Sequence, residues 1–142
     1  LRERCCMVLS KQVTGRVALP LGLESHVTFV GHRSDIQAFY GLAAVTCHLS
    51  SKAEPFGRTV PEALACGCPV VAYDRGGASE SLGAGFPQGL VEPDNIPRFA
   101  RRISELLAQS HRIELPRAFY LETQVRETLA VYHELLSARG QP

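Results

Sequence analysis

At 142 residues the chain is long enough for one domain with a real core. Hydrophobic residues make up 45% of it, charged residues 20%, and the net charge is +1, a balance that argues against a broad nucleic-acid or membrane-binding surface. No apolar run approaches the roughly 20 residues of a membrane span, no secretory signal pattern opens the chain, and it begins at Leu1 rather than Met, as a piece of a longer protein would.

In chain order, Cys5–Ser10 (CCMVLS) reads equally as strand or helix. Val27–Gly31 (VTFVG) is a predicted strand. Ser34-Asp35 then caps a helix with apolar residues at Ile36, Phe39, Tyr40 and Ala43. A second strand falls in Ala44–Ser50. A helix follows from about Thr59 to Cys66, ending at Gly67, a good left-handed cap position. Pro69–Asp74 (PVVAYD) and Gly89–Glu92 (GLVE) are further strands. The helix over about Ile96–Gln109 puts Ile96, Phe99, Ile103, Leu106 and Leu107 on one face. Ser110–Pro116 is a connector, and a last helix over about Leu121–Ala138 aligns Leu121, Val125, Leu129, Tyr132, Leu135 and Leu136. The apolar runs are continuous rather than alternating, as strands covered on both faces require. Strand and helix alternate, so the class is α/β with a mostly parallel sheet.

Five cysteines, Cys5, Cys6, Cys47, Cys66 and Cys68, give an odd count that does not fit a disulfide framework. They read as buried or semi-buried thiols of a reducing compartment. The Cys66-x-Cys68 pair lacks a second Cys or His pair at metal-ligand spacing, so packing is the better reading.

The stretch AEPFGRTVPEALACGCPVV, residues 53–71, carries the chemistry. Glu54 precedes Pro55, which disfavours helix for the residue ahead of it. Pro61 is tolerated only near a first turn, so the helix begins no earlier than about Gly57 or Arg58. Glu54 then lies in the loop and Glu62 about one turn inside the helix. The N–H groups of Gly57, Arg58 and Thr59 lie between them, unpaired. Such a helix start suits an anion, and the glycine lets a ligand approach the backbone. Two carboxylates beside it suit hydroxyl-rich groups, because a carboxylate only accepts hydrogen bonds. A sugar, a diphosphate and a ribose in one molecule would fit. Thr59-Val60-Pro61-Glu62 also has the form of a capping box, in which Glu62 only stabilises the helix start, and Glu54 could be an ordinary surface acid.

This segment resembles the retaining GT-B glycosyltransferases of the family 4 type. Their E-x7-E element stands here as Glu54-Pro55-Phe56-Gly57-Arg58-Thr59-Val60-Pro61-Glu62, followed by Ala63-Leu64-Ala65-Cys66-Gly67-Cys68-Pro69-Val70-Val71. Their G-G-x-x-E loop stands as Gly76-Gly77-Ala78-Ser79-Glu80, their preceding strand as Val27–Gly31, and their G-(L/F)-L-V-x-P-x-D element as Gly89–Asp94. The resemblance covers about residues 22–109, with a closing helix at about 121–138. It implies the C-terminal, donor-binding half of a GT-B fold, a Rossmann-like parallel sheet flanked by helices and incomplete here, with the N-terminal acceptor domain absent.

The resemblance also implies roles. Glu62 would hold the ribose of a nucleotide-diphospho-sugar. Glu54, the catalytic candidate, would contact the transferred sugar or the phosphate side of the reacting centre. The backbone of Phe56, Gly57, Arg58 and Thr59 would cradle sugar hydroxyls and the diphosphate. Gly31, His32 and Arg33 lie where the family's loop approaches the base, although His32 also reads as a simple loop residue. Gly76 and Gly77 would line a loop near the donor, which Glu80 would orient or merely follow as a helix-start acid. Arg58 suits a phosphate clamp, although many relatives carry an apolar residue there. Transfer would retain the anomeric configuration without a metal or other cofactor, the developing charge being met by N–H groups and basic side chains.

The family is well over twice as long, and its Arg/Lys phosphate pair is missing here. The isolated chain is therefore expected to be inactive and to bind donor weakly. Its acceptor, a glycan or lipid, would be bound by the missing domain, in glycan or lipopolysaccharide synthesis. The closing helix would be exposed or would drive self-association. Cytoplasmic placement, or a peripheral place at the inner face of the membrane, follows from the thiols and from cytosolic nucleotide-sugars. Alternatives are a nucleotide-sugar-binding module without chemistry, one subunit of a split enzyme, a sugar-nucleotide epimerase of the same architecture, and a thiol or metal protein using Cys66 and Cys68.

Overall fold

The computed structural model describes residues 6–8, 22–23 and 25–139. They fall into two compact units, Leu1–Phe39 and Tyr40–Pro142. In the first, β1 (Cys6–Val8) pairs in parallel with β2 (Val27–Phe29), Cys6 opposite Val27 and Val8 opposite Phe29. The ambiguous run at Cys5–Ser10 is therefore a strand over Cys6–Val8. The division between units falls within α1 (Ile36–Leu42). Asp35 does not cap α1 with its side chain as expected. Its carbonyl accepts from the Ala38 N–H (3.0 Å). Its carboxylate is instead taken by the Arg33 guanidinium, with Nε to Oδ1 at 2.8 Å and Nη2 to Oδ2 at 2.7 Å.

The second unit holds a parallel three-stranded sheet in the order β3 (Thr46–His48), β4 (Val70–Tyr73), β5 (Leu90–Val91). All four residues of the central β4 are buried, which is why its sequence is a continuous apolar run. Along β3 burial alternates and leaves Cys47 exposed, so the expectation of a buried thiol there is corrected. Four helices accompany the sheet: α2 (Thr59–Ala65), α3 (Gly76–Gly85), α4 (Ile96–Leu107) and α5 (Leu121–Arg139). The core is built from Val60 and Leu64 of α2, Val70 and Val71 of β4, Leu82 of α3 and the following Phe86, all at most 1% exposed. Each such side chain contributes about 1.5–3 kcal/mol of burial. Tyr73 meets Phe99 of α4 edge to face, ring centroids 5.1 Å apart.

α2 ends as its sequence demands. Gly67, at φ 72°, follows the C-cap Cys66. The Gly67 N–H donates to the Leu64 carbonyl (2.9 Å) and the Cys68 N–H to the Ala63 carbonyl (3.0 Å), a Schellman motif. The motif carries Cys68 into the core, 2% exposed, where its thiol meets the Thr46 hydroxyl at 3.2 Å. The C-G-C run is thus a helix stop with a packed thiol. Burial pushes the Cys68 thiol above its ordinary range, the Thr46 hydrogen bond working against that rise.

Two expectations fail on α3 and α4. The G-G-x-x-E run, read as a loop, begins a helix. Four of the ten residues of α3 are glycine, which hides it from propensity; burial of Gly77, Ala78, Ser81 and Leu82 overrides that weakness. In α4 the Asn95 side chain caps the start by accepting from the Arg98 N–H (3.0 Å). Ile96 stands at the first helical position, ahead of the buried face formed by Phe99 and Leu106, and is 70% exposed rather than packed. α5 exposes Leu121, Val125, Leu129, Tyr132, Leu135 and Leu136. No helix among the described residues is long and apolar enough to cross a membrane.

Candidate functional site

The loop after β3 carries Glu54, turns at Gly57 (φ 67°) and enters α2 at Thr59. The helix begins where the two prolines require. Pro61 lies in its first turn, and the first intrahelical bond runs from the Glu62 N–H to the Arg58 carbonyl (3.2 Å). No capping box forms. Arg58 occupies the N-cap with helical dihedrals and no side-chain cap bond, which leaves Thr59 already inside the helix. Among the described residues, no hydrogen-bond acceptor stands opposite the N–H of Gly57, Arg58 or Thr59.

The Glu62 carboxylate is 33% exposed, and its Oε1 accepts from Arg58 Nη2 at 2.9 Å, an i,i+4 pair on the surface of α2. Its Oε2 has no hydrogen-bond partner among the described residues. The Arg58 side chain is 82% exposed. Glu54 is less free than its sequence suggests, because Oε1 lies 3.8 Å from His48 Nε2 at the end of β3. Tyr40 of α1 is buried, 5% exposed. Burial and then the Glu62 carboxylate raise its phenol above the usual range, and the nearby Thr59 side chain opposes them.

Gly76 and Gly77 stand in a helix rather than a loop. They begin α3 and abut the Glu54 loop itself. A β-carbon on Gly77 would fall 2.4 Å from Phe56 Cα, and one on Gly76 would fall 2.7 Å from the Glu54 carbonyl oxygen. The Gly77 N–H donates to that carbonyl at 2.8 Å. On the other side, a β-carbon on Gly57 would fall 3.1 Å from the Ala78 nitrogen. Gly57 is buried, so its missing side chain makes room for α3. The two glycines seat the Glu54–Gly57 loop on α3. Glu80 is exposed on α3.

A second fastening ties together three loops at the carboxyl ends of the strands. Arg75, after β4, donates to the Ser51 carbonyl after β3 and to Asp94 Oδ2 (2.8 Å) after β5. Asp94 takes a left-handed conformation (φ 63°), which aspartate tolerates better than most residues. Beside α2 lies an open cleft of about 210 Å³, lined by Phe56, Arg58, Glu62, Leu115, Phe119 and Gln124 among others. Phe56 and Phe119 meet there edge to face, centroids 6.1 Å apart.

The second unit thus brings together Glu54, Phe56, Gly57, Arg58, Thr59, Glu62, Gly76 and Gly77. Gly31, His32 and Arg33 belong to the first unit. There His32 is exposed, and Arg33 is occupied by Asp35 and lies 5.4 Å over the Phe39 ring. Sequence reasoning missed three contributors. His48 sat unnoticed in an apolar strand run, Tyr40 read only as a core residue, and Phe119 belonged to a segment without a pattern. Among the described residues no group of three or more His, Cys, Asp or Glu side chains is placed to hold a metal ion.

The profile of the glycosyl transferases group 1 family matches residues 11–124. The D-inositol 3-phosphate glycosyltransferase 1 of Catenulispora acidiphila is 36% identical over 109 residues, covering 70% of this chain and 26% of that protein. Anabaena HepE, solved in complexes with UDP and with UDP-glucose, is 36% and 37% identical, with TM-scores of 0.60 and 0.58. Those matches cover 67% and 65% of this chain and 26% and 25% of that one. A glycosyltransferase from Rickettsia africae superimposes over 93% of this chain and 40% of its own, with a TM-score of 0.70 at 25% identity. The chain spans about a quarter of the length of the curated relatives it matches.

Proposed function

The chain belongs to the glycosyl transferases group 1 family, and we propose that it is the donor-binding part of such an enzyme, taking a nucleotide-diphospho-sugar. The fold, a parallel sheet flanked by helices, is the Rossmann-like half-domain of the GT-B type. The observation that carries the proposal is the loop at the start of α2. Along the chain Glu54 and Glu62 flank three N–H groups that have no acceptor among the described residues, and the Gly77 N–H fixes the Glu54 carbonyl. Diphosphate oxygens suit the N–H groups of Gly57, Arg58 and Thr59. Ribose hydroxyls suit the open Oε2 of Glu62, and sugar hydroxyls suit Glu54. The UDP and UDP-glucose bound by HepE support a donor of this class.

In this reading Arg58, paired with Glu62 at 2.9 Å, is near enough to turn toward a phosphate. Transfer would go to a glycan or lipid acceptor with retention of configuration and without a metal. The leaving diphosphate would be stabilised by the same N–H groups that bind it. The isolated chain would bind donor and not turn it over, as a binding module or one part of a divided enzyme, in the cytoplasm.

Ligand-observed NMR with UDP, GDP and their sugar conjugates tests this, with Glu62→Ala beside the wild type. The expected result is binding that prefers one base and is weakened about tenfold or more by the substitution, as for the loss of a charged hydrogen-bond acceptor. Equal binding by wild type and variant would remove Glu62 from the site.

A further inference from the structure

Glu54 is held by its main chain, not by its side chain. The Gly77 N–H fixes its carbonyl (2.8 Å), while its carboxylate, 43% exposed, makes no hydrogen bond among the described residues. The one polar group near that carboxylate among the described residues is the His48 imidazole, with Nε2 3.8 Å from Oε1. His48 stands on the scaffold. It closes β3, opposite Ala72 of the buried β4, and its side chain is only 10% exposed. A nearly buried imidazole at the end of an apolar strand run loses hydration, and the Glu54 carboxylate stands at ion-pair rather than hydrogen-bond distance from its Nε2.

We propose that His48 is a positioning residue for Glu54. The imidazole, on a strand, engages Oε1 and limits the carboxylate to rotamers that leave Oε2 as the acceptor for a ligand hydroxyl. Sites supported by side chains on strands are held more closely than those left to loops. The inference rests on the reading of Glu54 as the acceptor for the transferred sugar. It predicts that His48 affects the sugar part of the donor and not the nucleotide part, since Glu62 and the α2 N–H groups serve the latter.

The test has two arms on the full chain. In the first, the imidazole ¹⁵N resonances are compared at pH 7 between wild type and Glu54→Gln. The His48 Nε2 resonance is expected to move, and those of His26, His32, His111 and His133 to stay. An unmoved His48 resonance overturns the pairing, whatever the ligand does. In the second, UDP-glucose and UDP are titrated against wild type, His48→Leu and His48→Gln. His48→Leu is expected to bind UDP-glucose about three- to fivefold more weakly and UDP within about twofold of wild type, as for the loss of a part-exposed charge contact. His48→Gln, which keeps an N–H donor, is expected to recover part of the loss. Equal weakening for both probes, or none for either, overturns the positioning role. If wild type binds neither probe, the donor reading fails and the first arm alone decides the pairing. If His48→Leu does not fold, Glu54→Gln takes its place, with the same selective loss of UDP-glucose expected.

Discussion

Substituting Gly77 by alanine puts the account of the seated loop under direct load. The added β-carbon would lie 2.4 to 2.6 Å from Phe56 Cα, C and O, all main-chain atoms that no rotamer change can move. Ordinary contact needs about 3.5 Å or more, so α3 and the loop must part by roughly an ångström. That displacement also lengthens the 2.8 Å bond from the Gly77 N–H to the Glu54 carbonyl. Overpacking costs about 1–3 kcal/mol and a strained hydrogen bond about 0.5–1.5 kcal/mol, so the loss is about 2–4 kcal/mol. For a chain of this size the midpoint of thermal unfolding falls by about 6–15 °C. Gly83, in the same helix, is the control, since nothing lies within 4 Å of its β-carbon position. Gly83→Ala gains helix propensity and is expected to stabilise by about 0.5–1 kcal/mol. The chain has no tryptophan, so urea and thermal unfolding followed by far-UV circular dichroism is the assay. Near-identical stability of Gly77→Ala and wild type would refute the seating of the loop on α3.

Three further outcomes are expected. In the folded chain Cys68 and Tyr40 both keep their protons to higher pH than the ordinary values of 9.0 and 10.0, chiefly because they are buried. The unfolded chain therefore loses these protons first, stability is intact below about pH 9 and falls as pH rises beyond it, and Cys68→Ala reduces the slope of that fall in alkaline urea titrations. Replacing Arg75 by methionine removes the bonds to Ser51 and Asp94 and costs about 1–2 kcal/mol; an unchanged urea midpoint would contradict the fastening. The exposed leucines of α5 are expected to make the chain self-associate with rising concentration in sedimentation velocity, and Leu129→Glu to reduce it; a monomer at every concentration would contradict this.

The parts of the fold written in local chemistry were legible. Pro55 and Pro61 bracket the start of α2, Gly67 marks its end, and the continuous apolar run at Val70–Tyr73 identifies the central strand. The parts decided by distant contacts were not. α3 is four-tenths glycine and becomes a helix because Leu82 and Ala78 are buried. The glycines at 76 and 77 suggested an open loop, whereas their lack of side chains answers the close approach of Phe56 and Glu54. Thr59 and Glu62 have the spacing of a capping box, but the helix starts one residue too early for it to form. His48 was invisible because its partner lies six positions away around a turn. Sequence spacing located the two carboxylates; only the structure gives their neighbours, Arg58 for Glu62 and His48 for Glu54.

The central claim is that the N–H groups at the start of α2 receive a nucleotide-diphospho-sugar. Amide chemical-shift mapping of the ¹⁵N-labelled chain titrated with UDP-glucose tests it most directly. The largest shifts are expected at Gly57, Arg58 and Thr59, with Glu62 and Gly77 following and the far end of α5, beyond Gln124, unaffected. Saturable shifts confined to other surfaces, or none up to millimolar ligand in a folded chain, would contradict it.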